Sequence, residues 1–273
     1  MGENPLDGIG RYVSFFLIPV LGVMVRIPFA DDRREQQRRH MDVTELMFNK
    51  SRFRNKNARH GSQWWTILTH MFVHQNRDHL ISNALTMIPS AFAVSKNYGI
   101  LATYTVFLGG GVFAALQSQD YQIQQAWSKT FAFPFANYEH AKGIGQWWDR
   151  NVRRASSWFE KYVIRYCGCS AGVAALEGMQ IMIWLEQIAF ALVFPNRDPP
   201  VPTNGLSLIL TAVNVVSLLT CYANEMHYLS SGTRYGIDHA GHLAGFCFGL
   251  GCFGVVKAVT YVKRQLRSRK TWR

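Results

Sequence analysis

The chain has 273 residues, 48% hydrophobic, 14% aromatic and 17% charged, and its 29 Lys+Arg against 17 Asp+Glu leave a net charge of +12. That apolar content excludes a disordered chain, and five cysteines, odd in number and all in apolar stretches, argue against a disulfide scaffold. A mean hydropathy of −0.04 and a pI near 9.7 look like a basic soluble protein, but the average mixes long uncharged windows with basic segments placed where membrane-flanking loops would be.

Residues 1–11 read as an N-terminal tail. Only Arg11 precedes the first apolar run, Val25-Arg26-Ile27 is a poor cleavage site, and Glu3 and Asp7 do not suit a transit peptide. Leu6 stands where a myristoylation motif on Gly2 needs Ser or Thr. A helical span takes about 20 mostly apolar residues, and the first such window, Tyr12 to Ala30, carries one charge, Arg26, near enough to its end to snorkel. Residues 31–63 form a long first loop with nine basic residues against five acids. His79 to Ser95 is too polar to stand on hydropathy alone and is admitted as a span for the histidine series that opens it. Ile100 to Leu116 is uncharged and centred on Gly109-Gly110-Gly111.

A long third loop, 118–165, carries Trp127, Trp147, Trp148 and Trp158 among arginines, and its part from Gln146 to Tyr166 reads either as an amphipathic helix at the membrane surface or as a solvated, locally packed loop. Then come Cys167 to Leu185 with one acid, Glu177, the uncharged window Gly205 to Ala223, and the uncharged, glycine-rich window His239 to Val256. Residues 12–256 thus form one six-span membrane domain, all-α, followed by a tail, 257–273, with seven basic residues and no acid. The positive-inside rule puts that tail in the cytoplasm or matrix. Six spans return the N-terminus to the same side and leave the basic loop 31–63 opposite, against the rule, so the sidedness stays open.

Polar clusters inside spans are costly and mark function. Three occur: His70-x3-His74-x4-His79-x3-Asn83, Gly168-Cys169-Ser170-Ala171-Gly172, and His239-Ala240-Gly241-His242-Leu243-Ala244-Gly245 followed by Gly249. If successive spans alternate in direction, the second, fourth and sixth begin on one side, and His79, Ser170 and His242 lie near those beginnings. A serine needs an adjacent base to act as a nucleophile, and imidazole is the usual one. Acyl transfer also needs donors for the developing oxyanion, which His79, Asn83 and the Ser170 N–H could supply.

In these three clusters, in their spacing and order, the chain resembles the rhomboid intramembrane serine proteases. Trp64-Trp65-Thr66-Ile67-Leu68-Thr69 resembles the lead-in to the family's histidine series, and the likeness covers roughly residues 60–117 and 166–256. It implies a six-transmembrane-helix rhomboid-like bundle with Ser170 as nucleophile and His242 as general base of a dyad. It also implies an oxyanion hole of His79, Asn83 and the Ser170 amide, and Gly245 and Gly249 as the small residues that let the fourth and sixth helices meet. The substrates would be single-span membrane proteins, cut near their membrane entry in the bilayer with no metal or organic cofactor and no nucleic acid. The sequence departs from the family where Ala171 replaces a glycine, Ala174 an aromatic, Thr66 an arginine and Ser95 an acid.

Each cluster also has a plainer reading. A serine in a glycine-rich helix is usually a packing residue, and His70 with His74 at i, i+4 could be a zinc pair that Cys167 and Cys169 extend. His239 reads as a loop residue or a hydrogen-bonded neighbour of the base, and Glu177 as hydrogen-bonded within the bundle or as part of a water path. The rival functions are a rhomboid-fold pseudoprotease that binds or routes membrane proteins, a histidine-lined zinc transporter, and, remotely, a DNA-binding helical protein. The organelle reads as the mitochondrial inner membrane, an endomembrane or the plasma membrane; the oligomeric state is not legible.

Overall fold

The computed structural model describes residues 5–26, 66–131, 168–194, 205–231 and 238–270. The first loop, the Trp64-Trp65 lead-in, Cys167 and the expected surface helix at 146–166 lie outside those residues.

In chain order the elements are α1 (Pro5–Tyr12), a π-helical turn (Val13–Leu17), α2 (Ile18–Arg26), α3 (Thr66–Thr69), a 3-10 turn (His70–Phe72), α4 (Arg77–Phe131), α5 (Ser170–Val193), α6 (Gly205–Ser231) and α7 (His239–Lys270). Several ends differ from the sequence reading, among them those of α5 and α6, which run past Leu185 and Ala223 to Val193 and Ser231. α1 begins at Pro5 inside the expected tail, since proline is at ease in a first helical turn. α4 runs on to Phe131, into the expected third loop, and α7 carries the basic tail on to Lys270. Lysine and arginine are good helix formers, so the charge that ends an apolar span does not end the helix.

Among the described residues five helices are long and apolar enough to cross a membrane, where six windows were expected: Gly8–Arg26, Arg77–Ser118, Ser170–Val193, Leu208–Ser230 and His239–Ser268. The chain is an all-α, multi-pass membrane protein. The difference in count lies in α4, which holds both 79–95 and 100–116. A straight helix of 42 residues would be about 63 Å long, twice the roughly 30 Å hydrocarbon thickness. α4 is not straight: Gly99 has φ 85° and ψ 171°, a region essentially closed to any residue with a Cβ, and it divides the helix into two arms.

The arms run in opposite directions. The first starts with His79 beside Gly168 and ends with Tyr98 against Phe253, ring centroids 6.4 Å apart. The second comes back to Ser118, whose hydroxyl donates to Asp238 at the head of α7. The first arm, α5 and α7 therefore all begin at one end of the bundle, and α6 reaches that end with its C-terminal turns, where Tyr222 donates to Glu177.

α5 is the central helix, packed against both arms of α4 and against α7. Its stretch from Gly172 to Ile181 is buried on every side, as expected of a helix apolar all round. Small residues allow the close approach: a Cβ on Gly110 would lie 2.2 Å from the Ala175 Cβ, and one on Gly178 would lie 2.3 Å from the Phe246 carbonyl oxygen. A polar pair links the first arm to α5. Ser90 on the first arm donates to Gln180 Oε1 at 2.9 Å. By contrast Leu206, Ile209, Leu210, Val213 and Val216 on α6 are exposed, the face that bilayer lipid would cover.

Candidate active site

The site is assembled from three helix starts. Asn76 precedes α4 and accepts the His79 N–H on its side chain at 2.9 Å, the bond of an N-cap residue. Gly168 has φ 96°, the left-handed region that favours glycine. A Cβ there would sit 2.6 Å from His79 Cε1 and 3.3 Å from Asn83 Nδ2. The same turn is tied to the histidine segment by the Gly168 N–H, which donates to the His70 carbonyl at 3.0 Å. Ser170 is the first residue of α5, so its N–H has no acceptor within the helix.

Asp238 caps α7: its carboxylate accepts the Gly241 N–H at 3.0 Å and the Ser118 hydroxyl, and its carbonyl accepts the His242 N–H at 3.0 Å. Burial pushes the Asp238 carboxyl above the usual range, while those two bonds to the side chain pull it back. The cap sets the first turn of α7, which carries His239 and His242.

Ser170 Oγ and His242 Nε2 are 2.9 Å apart. On the other side of the ring, Nδ1 lies 3.2 Å from Glu225 Oε1. A carboxylate can only accept, so Nδ1 carries the proton, Nε2 is the acceptor, and the Ser170 hydroxyl donates to it. The second oxygen of Glu225 accepts from His239 Nδ1. His239 is thus a hydrogen-bonded neighbour, and it opens α7.

The structure brings Ser170, His242, His79 and Asn83 to one end of the bundle, and Asn83 Nδ2 is a buried donor with no partner among the described residues. Gly245 and Gly249 lie on the α5–α7 seam, where a Cβ would come within 2.2 Å of the Ala171 carbonyl oxygen and 1.9 Å of that of Ala175. The Ala171 contact is through its backbone, and Ala174 is buried among Ile181, Val215, Tyr222 and Phe246. Glu177 is hydrogen-bonded inside the bundle, to Tyr222.

His70 and His74 are buried. His74 Nε2 lies 3.6 Å from the Cys169 thiol, and its ring meets His79 edge-on at 5.4 Å. Burial, with the neighbouring His79, pushes His74 down to about 4. Among the described residues, which leave out Cys167, no three His, Cys, Asp or Glu side chains form a group able to hold a metal ion.

Sequence reasoning missed Glu225 and Asp238. Glu225 stands two residues past the end of the Gly205–Ala223 window, yet α6 continues as a helix to Ser231. It is the only acid in α6, and that singularity was the available signal. Asp238, directly before His239-Ala240-Gly241, was readable as an N-cap.

The Rhomboid domain family model matches residues 61–126, a stretch that includes His79 and Asn83 but neither Ser170 nor His242. An uncharacterised mitochondrial rhomboid protein of Schizosaccharomyces pombe is 35% identical over 51 residues, which is 19% of this chain and 13% of that protein. No solved structure matches the chain.

Proposed function

We propose that this chain, which belongs to the rhomboid family, is an intramembrane serine endopeptidase with six crossings. Its substrates would be single-span membrane proteins, cleaved near the membrane entry of the helix. The observation that carries the reading is the 2.9 Å contact between Ser170 Oγ and His242 Nε2, made between two helix starts across a seam of small residues.

Ser170 acts as the nucleophile. As its oxygen bonds to the scissile carbonyl carbon, its proton passes to His242 Nε2 and later to the leaving amine, and water then releases the acyl group by the reverse relay. The oxyanion forms beside three donors: the Ser170 N–H, which has no acceptor within its helix, the Asn83 amide and the His79 ring. Such donors act strongly where water is scarce. A regular helix hides its carbonyls, so substrates are helices that unwind locally. The similarity to a mitochondrial protein favours a mitochondrial membrane over an endomembrane or the cell surface.

The test uses the purified chain in detergent with a panel of single-span reporters, beside its Ser170→Ala and His242→Ala variants, with products sized by mass spectrometry. Cutting within or beside the reporter span by the parent alone is the expected outcome. Binding of reporters by all three proteins without any cutting that depends on Ser170 would replace this reading with the pseudoprotease.

A further inference from the structure

We propose that Glu225 is a positioning residue for His242, holding the ring with Nδ1 protonated so that Nε2 stays free to take the Ser170 proton. The kinetic part of this inference rests on the protease reading; the ring state it assigns does not.

Neutral imidazole carries one N–H, on either nitrogen, and only one of the two forms can act as base toward Ser170. In the other, Nε2–H would meet the serine hydroxyl and a bare Nδ1 would face the Glu225 carboxylate. The 3.2 Å contact from Nδ1 to Glu225 Oε1 selects the productive form.

Among the described residues no other acid makes that bond. Glu177 on α5 accepts from Tyr222, and Asp238 accepts from Gly241 and Ser118. His79 on α4, the remaining titratable neighbour of His242, lies against Gly168. Glu225 itself is held from its far side by His239 Nδ1, so the carboxylate has a fixed orientation. Its side chain is 16% exposed and that of His242 is 20% exposed, which leaves the pair largely shielded from water.

The location sharpens the point. Glu225 stands near the C-terminus of α6, the negative end of the helix dipole, in a segment apolar enough to span a bilayer. A carboxylate is unfavourable there unless donors meet it, and both of its oxygens meet imidazole N–H groups. When Ser170 attacks and the ring becomes imidazolium, the same carboxylate faces the new charge and keeps its own proton count unchanged.

The experiment uses the full chain in detergent micelles with 15N-labelled histidine, and nitrogen chemical shifts are read at a pH where the ring is neutral. The His242 signals are assigned by their loss in His242→Gln. The parent is expected to show His242 protonated on Nδ1, and Glu225→Ala to shift it to the Nε2-protonated form or a mixture. A parent ring already protonated on Nε2, or one unmoved by Glu225→Ala, overturns the inference whether or not the chain cuts a reporter.

On a reporter that is cut, Glu225→Gln and Glu225→Ala should lower kcat by between about 10²- and 10⁴-fold with KM within twofold, and Glu225→Asp should recover at least tenfold of the loss. Cleavage that depends on Ser170 but keeps full kcat in Glu225→Ala overturns the inference and leaves the protease reading intact. Cleavage that is indifferent to Ser170 sinks the protease reading, and the nitrogen shifts still decide the role of Glu225. Thermal unfolding of each variant separates a misfolded protein from a mispositioned ring, with the Gln isostere as the mildest change.

Discussion

Gly245→Ala places one methyl group on the seam that holds Ser170 and His242 together. The new Cβ would lie 2.2 Å from the Ala171 carbonyl oxygen and 3.1 Å from its carbonyl carbon. An ordinary C···O contact is about 3.3 Å, so α7 must withdraw from α5 by roughly 1 Å. Both neighbours are backbone atoms of packed helices, which have no rotamer to yield. Ser170 directly precedes Ala171, and His242 is one turn before Gly245, so the same withdrawal stretches a 2.9 Å contact to about 4 Å, beyond hydrogen-bond range. Misplacement of reacting groups by about 1 Å costs on the order of 10²-fold in rate, and overpacking costs about 1–3 kcal/mol of stability. Gly251→Ala is the control, because nothing lies within 4 Å of a Cβ there while the helix gains the same propensity of about 1 kcal/mol. The assays are reporter cleavage in proteoliposomes and thermal unfolding in detergent. Equal activity and equal stability in the two alanine variants would refute the close approach and the geometry built on it.

Acid should weaken the fold through His74. Its folded value is pushed down to about 4 by burial, so between that point and the ordinary histidine value of about 6.5 the unfolded chain binds a proton that the folded chain refuses. Stability is then full above about pH 6.5 and falls as pH drops toward 4, by about 3 kcal/mol; unfolding midpoints across that range should slope accordingly, and the slope should flatten in His74→Gln. Asp238→Ala removes the cap of α7 and the partner of Ser118. It should cost about 1–2 kcal/mol and slow cleavage, with Asp238→Asn, which still caps, recovering most of both. Tyr222→Phe deprives buried Glu177 of its donor, and thermal unfolding should register a loss of about 1–3 kcal/mol if that bond is the one holding it.

The arrangement of the site was readable because it needs little beyond alternation. Windows at 79–95, 167–185 and 239–256 run in one direction if neighbours run oppositely, so the histidine series, Gly168-Cys169-Ser170 and His242 share an end before any coordinate is known. The resemblance implied that Gly245 and Gly249 face the fourth span, and in the structure only a residue without a Cβ fits there under the carbonyls of Ala171 and Ala175. Glu225 was not readable in that way. Hydropathy stops a span at the first charge, whereas a helix stops where its backbone bonds end, and α6 passes Glu225 by six residues. The same difference explains α4 and α7, which outrun their apolar windows to Phe131 and Lys270. The turn at Gly99 was legible: the windows 79–95 and 100–116 stop and start on either side of Lys96-Asn97-Tyr98-Gly99, and the positive φ of Gly99 marks the break between 77–98 and 100–131.

The two ends of a helix divide the chemistry between them. Ser170 and His242 stand in first turns, where the dipole is positive; the Ser170 N–H has no acceptor within its helix, and Asp238 accepts the N–H groups of Gly241 and His242. That end suits a developing oxyanion, and α4 brings His79 and Asn83 to the same depth. It does not suit the imidazolium that would form if His242 took the serine proton, as the proposed reaction requires, because the positive dipole of α7 opposes that charge. A helix that arrives with its negative end can bring a compensating anion directly to the ring. α6 is such a helix, and it carries Glu225 to Nδ1 at 3.2 Å. The carboxylate offsets the positive ends of α5 and α7 at the ring while leaving them free to act at the oxyanion. On this physical ground a bundle of alternating helices can serve both charges of an acyl transfer within one small apolar site.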